Sequence, residues 1–166
     1  MKIIRIALYA FCVALFSCQS KEEISINAEY SKLIGQWDII SYIIPNTAPE
    51  SYQNLLTKGG VLFEKCDYQS SKKEGWSCGG DFEADNSIYS VIYKFNRAIG
   101  AYDFRVGIVN KLNGTTVQNT TEKQAKVMEL MSGQWEFTIN DNKLIARQIK
   151  NTALSNILIG FTATKK

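Results

Sequence analysis

IYSVIYKFNRAIGAYDFRVGI, residues 88–108, alternates apolar and polar side chains along two successive segments. A period of two residues is typical of a β-strand that buries one face. The stretch therefore predicts two successive strands. Each strand places aromatic residues on one face, namely Tyr89, Tyr93 and Phe95 on the first and Tyr102 and Phe104 on the second.

The same alternation recurs along most of the chain. Segments that show it are 34–44, 61–68, 76–82, 135–139, 143–150 and 156–164. A short helix or turn is predicted at 50–56 and a short helix at 123–131, where Thr121 and Gln124 resemble a capping box. About eight strands in sequential hairpins would leave exposed edges in a flat sheet, and closure into a barrel removes them. Residues 31–166 are therefore predicted to form a mostly β domain, an antiparallel up-and-down barrel with one or two short helices.

Composition argues against common enzyme and metal chemistries. The chain of 166 residues contains no histidine, which removes the commonest general base near neutral pH and the commonest metal ligand. Ser-His-Asp and Cys-His mechanisms cannot be built without it. We expect no catalytic residues, no metal and no cofactor, and we keep an enzyme based on carboxylates or tyrosines as a third alternative.

The first residues have the anatomy of a signal peptide. Met1–Arg5 is basic, and the 11 residues of 6–16 form an apolar run too short to span a bilayer. Leu15-Phe16-Ser17-Cys18 then resembles the lipobox of bacterial lipoproteins. That resemblance implies cleavage of residues 1–17 and attachment of lipid, palmitate included, to Cys18. An ordinary secretory leader is the alternative.

The mature chain has an almost balanced charge. Loss of 1–17 leaves 17 basic and 16 acidic side chains, a net charge of +1. A charge this small provides no basic field for a phosphate backbone. Nucleic acid is therefore not expected as a partner.

The segment after Cys18 suggests where the protein resides. Cys18-Gln19-Ser20-Lys21-Glu22-Glu23 resembles the surface-export signal of Bacteroidota-type lipoproteins. The resemblance implies lipid anchoring in the outer membrane at the cell surface, with a periplasm-facing position as the alternative. Residues 18–30 are predicted to form a polar tether between lipid and barrel.

Two cysteines remain in the domain, Cys66 and Cys78. Cysteines outside the cytoplasm usually pair, and a spacing of twelve residues suits two strands of one hairpin. We predict a structural disulfide, with two free buried thiols as the alternative. A metal site is disfavoured because further thiols and histidine are lacking.

Gly35-Gln36-Trp37, at the start of the first strand, resembles the Gly-x-Trp motif of lipocalins and their bacterial lipocalin-like relatives. In that family the tryptophan closes one barrel end, and an arginine from a late strand packs across it. The resemblance implies a barrel-closing pair of Trp37 and Arg147. Alternatively, Leu144 and Ala146 face inward and Arg147 points to water.

The Gly-Gln-Trp triplet recurs at 133–135, before another acid. We interpret the recurrence as two strand starts with similar chemistry and not as a duplicated unit, because the lengths that follow differ.

Function depends on the inside of the predicted barrel. An eight-stranded barrel either holds one small ligand or is filled by side chains. In the first case, the aromatic face of Tyr89, Tyr93, Phe95, Tyr102 and Phe104 lines a cavity for a small hydrophobic molecule. In the second case those residues are packed core, and the protein is a non-catalytic structural or protein-interaction module.

Overall fold

Short polar turns divide the chain into strands. Asp85 and Asn86 have φ of +48° and +65°, and Asp141 has φ of +54°. Asp and Asn enter this left-handed region more readily than most residues. Turns with positive φ match the twist of antiparallel strands. The chain therefore reverses direction sharply at both places.

The computed structural model describes residues 19–72, 78–108 and 120–166. Within them the strands are β1 (Gly35–Ile43), β2 (Gly59–Phe63), β3 (Cys78–Ala84), β4 (Ser87–Asn96), β5 (Ala101–Ile108), β6 (Gly133–Asn140), β7 (Lys143–Asn151) and β8 (Gly160–Lys165). The helices are α1 (Lys21–Leu33), α2 (Glu50–Gln53), α3 (Tyr68–Lys72) and α4 (Glu122–Met131).

The eight strands form a closed barrel in sequence order, β1 to β8. Every neighbouring pair is antiparallel, and β1 closes the barrel against β8 with Trp37 opposite Lys165. The predicted up-and-down barrel is confirmed. Because successive strands alternate in direction, β1 and β6 begin at opposite ends. We call these the α1 end and the α4 end, after the helix that precedes each strand.

The barrel interior is the main core of the described chain. Residues at alternating positions point inward and are buried, as in β3, where Cys78, Gly80, Phe82 and Ala84 are less exposed than their neighbours. The largest fully buried barrel side chains are Trp37, Phe63, Phe82, Tyr93, Phe104, Trp135, Leu144 and Phe161. Aromatic rings from strands distant in sequence therefore meet inside the barrel.

Residues 21–30 are helical, so the tether predicted over 18–30 is wrong for that part. The Ser20 hydroxyl accepts a hydrogen bond from the Glu23 amide at 3.1 Å and caps α1. Ile26, Tyr30 and Leu33 are buried, and their spacing places them on one side of the helix. The folded domain thus begins about ten residues before the predicted boundary at residue 31.

Other differences concern the short helices. The described residues contain four helices instead of one or two. The segment 50–56, predicted as a short helix or turn, is helical from Glu50 to Gln53. Strand β2 stops at Phe63, and α3 begins at Tyr68, where the alternation predicts continuing strand. The helix predicted at 123–131 is confirmed as α4, with its capping box formed by Thr121 and Gln124.

Candidate functional site

The five aromatic residues proposed to line a cavity are packed against other side chains. Tyr89, Tyr93, Tyr102 and Phe104 are almost completely buried, and Phe95 is partly buried against the core. A side chain that faced a space large enough for water would keep accessible surface, and the four buried ones keep almost none. Three close ring pairs fill the space, with centroid distances of 5.1 Å for Phe63–Tyr93, 5.0 Å for Phe95–Tyr102 and 5.2 Å for Tyr102–Phe137.

Two of the three tyrosine hydroxyls of this group, those of Tyr93 and Tyr102, are bonded within the protein. Tyr93 donates to the Glu64 carbonyl at 2.9 Å, and Tyr102 donates to Glu29 Oε2 at 3.5 Å. Burial raises the pKa of both tyrosines well above the ordinary value. Both therefore stay protonated near neutral pH and act as hydrogen-bond donors. This arrangement matches packed core, the alternative to a ligand cavity.

A helix and a tryptophan close each end of the barrel in the same way. Trp37 Nε1 donates to the carbonyl of Leu33 at 2.8 Å, and Trp135 Nε1 donates to the carbonyl of Met131 at 3.0 Å. Each acceptor is the last residue of a helix, α1 or α4, so each bond satisfies a carbonyl that the helix leaves free. Both indoles are fully buried. The two Gly-Gln-Trp triplets thus build matching plugs at opposite ends.

Two buried amides on β7 strengthen the plug at the α4 end. Gln148 Nε2 donates to the Leu130 carbonyl at 3.1 Å. Asn151 Nδ2 donates to the carbonyls of Glu129 and Leu130 at 3.0 and 3.1 Å. The Asn151 side-chain oxygen accepts from the amides of Ala153 and Leu154. One side chain therefore joins α4, β7 and the following loop.

Arg147 does not pack on Trp37, so the predicted barrel-closing pair is wrong. Leu144 and Ala146 are buried inside the barrel, and alternation puts Arg147 on the outside, where it is exposed. The cation near Trp37 is instead Lys165, whose Nζ lies 5.4 Å from the ring centroid. The alternative orientation of Arg147 is the one observed.

Cys66 and Cys78 form a disulfide, as predicted, with their Cα atoms 5.6 Å apart. Cys78 begins β3, but Cys66 lies past the end of β2, in the connection that carries α3. The amide of Tyr68 in this connection donates to Asn27 Oδ1 of α1 at 2.7 Å. The disulfide therefore fixes the connection that supports α1.

Acidic residues on the outside of β3 remain separate from one another. Asp81 and Glu83 are exposed, and Asp85 pairs with Lys123 at 2.8 Å. Among the described residues no group of three or more His, Cys, Asp or Glu side chains has the arrangement of a metal site.

Two hollows among the described residues lie on the outer surface. One, near the β3–β4 turn, is lined by residues that include Thr57, Glu83 and Asp85. Another lies over the outside of β2 and β3, beside Gly60 and Ile88. Both are open to solvent, and none of the five aromatic residues lines either one.

Exposed aliphatic side chains gather on the outside at the α4 end. Ile43, Ile149 and Leu158 are 59%, 38% and 44% exposed. Ile43 covers Gly160, with its Cβ and Cδ1 3.8 Å from the point where a side chain on that glycine would begin. Gly160 pairs with Arg147, and the Gln148 amide donates to the Ile159 carbonyl at 2.9 Å. Ile149 lies two residues after Arg147, and Leu158 lies two residues before Gly160, so alternation places both on the same outer side. We call Ile43, Ile149 and Leu158 the distal patch.

Comparison with protein-family models, with curated proteins and with solved structures found no match.

Within the described part of the chain, every helix is too short or too polar to cross a membrane. Cys18, the predicted site of lipid attachment, lies outside the described residues, as does the predicted signal peptide 1–17.

Helix α1 and the buried amides of Gln148 and Asn151 are not predicted from the sequence. Only α1 has a recognisable sequence pattern. Ser20 followed by Glu23 is a capping pattern, and Ile26, Tyr30 and Leu33 have the spacing of one helix face. Together they indicate α1. Nothing comparable marks Gln148 and Asn151, because their partners are helix carbonyls about twenty residues away.

Proposed function

We propose that this chain is a lipoprotein anchored to the outer membrane through Cys18, at the cell surface, whose filled barrel is a non-catalytic protein-interaction module. The proposal of a protein-interaction module rests on the packed interior together with a helix plug at each end. A barrel filled in this way leaves its outside for recognition. In this proposal the Gly-x-Trp likeness to lipocalins extends to the barrel and its end-closing tryptophan, but not to a ligand cavity.

The distal patch is the surface we propose for a protein partner. Its three aliphatic side chains are exposed together, and charged residues such as Arg147 and Glu136 flank them on neighbouring strand positions. Apolar groups with a polar rim are typical of protein interfaces, and grouped exposed aliphatic residues often mark binding sites.

The interaction is tested in living host cells with a photo-crosslinking amino acid placed at Leu158. The control position is Ile88, which is 63% exposed and lies on β4, away from the distal patch. We expect a defined protein adduct from position 158 that is lost when Ile43→Glu is added and is absent from position 88. Equal or absent adducts at both positions would contradict the proposal.

Native mass spectrometry of the protein purified from its host tests the filled interior. We expect the mass of the lipidated chain alone under conditions that preserve non-covalent complexes. A co-purifying small hydrophobic molecule, released only on unfolding, would restore the ligand-binding alternative.

The anchor is tested separately by measuring the mass of the N-terminal peptide and by fractionating cells. We expect acyl chains on Cys18 and recovery with the outer membrane. In the Cys18→Ala variant the chain should keep its leader or become water-soluble. Wild-type protein without acyl groups would remove the lipoprotein proposal.

A further inference from the structure

The link between the proposed lipid and the folded domain is very short. Helix α1 begins at Lys21 and is capped by Ser20, so three residue steps separate Cys18 from the helix. An extended chain spans roughly 3.5 Å per residue, which limits the link to roughly 10 Å. The first turn of α1 would therefore be held close to the lipid headgroups.

Neighbouring elements are fixed around that first turn. Glu22 forms an ion pair with Arg97 of the β4–β5 turn at 3.3 Å. Glu23 accepts a hydrogen bond from Gln69 of α3 at 3.3 Å. The β4–β5 turn and α3 therefore approach the bilayer together with α1.

The surface so placed has two exposed aliphatic side chains, with basic residues and the acidic residues Glu22 and Glu23 beside them. Ile24 and Ile99 are 55% and 44% exposed, and they lie on the two elements that the Glu22–Arg97 ion pair joins. On α1, Ile24 faces away from the buried stripe. Lys21 and Arg97 are exposed beside them, and such long side chains place an apolar stem near the acyl boundary and a charge among the headgroups.

We propose that the surface formed by Lys21, Ile24, Arg97 and Ile99, the membrane face, rests on the bilayer and sets the orientation of the barrel. This inference rests on the proposed lipidation of Cys18. The occupant is a lipid surface because the anchor brings one within about 10 Å. Exposed aliphatic residues with long basic side chains beside them suit the interface of a bilayer, and the neighbouring carboxylates of Glu22 and Glu23 are bound by Arg97 and Gln69. The distal patch then points away from the membrane.

The test uses the mature lipoprotein, with its lipid, in vesicles of phosphatidylethanolamine and phosphatidylglycerol. An environment-sensitive fluorophore is attached at Ile99→Cys and, as the matched control, at Leu158→Cys. Both positions are 44% exposed in the described structure, and Cys66 and Cys78 are paired and do not compete for the label. Spin-labelled lipids in the vesicles quench a fluorophore that touches the bilayer.

We expect several-fold stronger quenching at position 99 than at position 158, together with a blue-shifted emission. Adding Ile24→Glu should reduce quenching at position 99 and leave position 158 unchanged. Equal quenching at the two positions would overturn the inference, as would a label at position 99 that is shielded by a protein and not quenched by lipid.

A mass measurement on the same sample separates this inference from the proposal beneath it. Absence of acyl groups on Cys18 would remove the lipoprotein proposal and the membrane face with it. Acylated protein with equal quenching at both positions would remove the membrane face alone and leave the anchor in place.

Discussion

The glycines of the two Gly-Gln-Trp triplets serve different physical needs. Gly35 has φ of +121°, a backbone conformation that side-chain-bearing residues rarely adopt. Gly133 has no such need. A Cβ there would lie 2.1 Å from the Lys150 carbonyl oxygen, so β6 and β7 could not keep their spacing. Each glycine begins a strand just after a helix. The indole of the tryptophan two residues later donates a hydrogen bond to the last carbonyl of that helix.

Gly133→Ala should lower the free energy of unfolding by about 1–3 kcal/mol, the usual range for overpacking. The backbone must move because the obstructing atom is a main-chain oxygen. Denaturant unfolding measures the loss. Gly107→Ala is the control, since a Cβ there meets only the Ser90 hydroxyl, at 3.3 Å, and we expect little change. Equal effects of the two substitutions would contradict the close-contact explanation.

A single ion pair connects α4 to the β3–β4 turn. Lys123 lies 2.8 Å from Asp85, which also accepts a hydrogen bond from Thr57 at 2.8 Å. The hydrogen bond with Lys123, aided by Thr57, lowers the pKa of Asp85 below its ordinary value of 3.8. A carboxylate with a lowered pKa contributes stability at neutral pH, and that stability is lost as pH falls through the lowered pKa.

Asp85→Asn should therefore cost less than about 1 kcal/mol at neutral pH, and the difference from wild type should shrink as the solution is acidified below pH 3.8. Asparagine tolerates the positive φ at this position, so the change mainly removes charge. Unfolding curves at several pH values give the result. Asp81→Asn, on the exposed outer face of β3, is the control. If the difference in free energy of unfolding between Asp85→Asn and wild type widens in acid, the expected sign is contradicted.

Helix α1 is only weakly amphipathic, and its packing against the barrel holds it in place. Tyr30 is fully buried, and its ring centroid lies 6.1 and 6.4 Å from those of Tyr93 and Tyr102. Its hydroxyl accepts a hydrogen bond from the Phe95 amide at 3.0 Å. Most helical stability in proteins comes from such packing and not from intrinsic propensity. The helix therefore belongs to the barrel domain.

Tyr30→Ala should reduce the free energy of unfolding by about 3–5 kcal/mol, as for other large-to-small aromatic substitutions in a core. Ile24→Ala, on the exposed side of the same helix, should change it by less than about 0.5 kcal/mol. Thermal and denaturant unfolding compare the two. A tether would make both substitutions neutral, so equal small effects would argue against the docked helix.

The whole molecule is a closed β-layer with a plug at each end. Closure pairs both edge strands and removes templates for aggregation, while the ring contacts inside bring together residues far apart in sequence. The Cys66–Cys78 disulfide adds a covalent constraint at the α1 end. In the function proposed above, recognition is left to the outer surface, with the proposed membrane face at one end and the distal patch towards the other.

Replacing both cysteines, Cys66→Ala with Cys78→Ala, should leave the barrel folded and lower the free energy of unfolding by about 3 kcal/mol. This is the chain-entropy effect of closing a loop of about this length. Circular dichroism checks the fold, and denaturant unfolding measures the loss. A reducing agent should destabilise wild type to the same level and leave the double variant unchanged. Loss of the fold would show that the constraint is required and not merely stabilising.

How far the sequence predicts the fold can be seen from particular residues. Alternation around Tyr89 and Tyr102 places side chains on two faces, and polar turns such as Asp85-Asn86 set the reversals. Because these signals are local, they predict the strands, their sequential antiparallel order and the barrel. The spacing of Cys66 and Cys78, together with the expected location outside the cytoplasm, likewise predicts their bond.

Other features depend on atoms that meet from distant parts of the chain. Alternation along β7 allows Arg147 to face either way, and the packing of Leu144 and Ala146 inside the barrel resolves the choice. Whether the interior holds a ligand depends on how Phe63, Phe137 and their neighbours fill a common volume. Local periodicity carries information about which face a residue takes, but the volume left between faces follows from packing across the whole barrel.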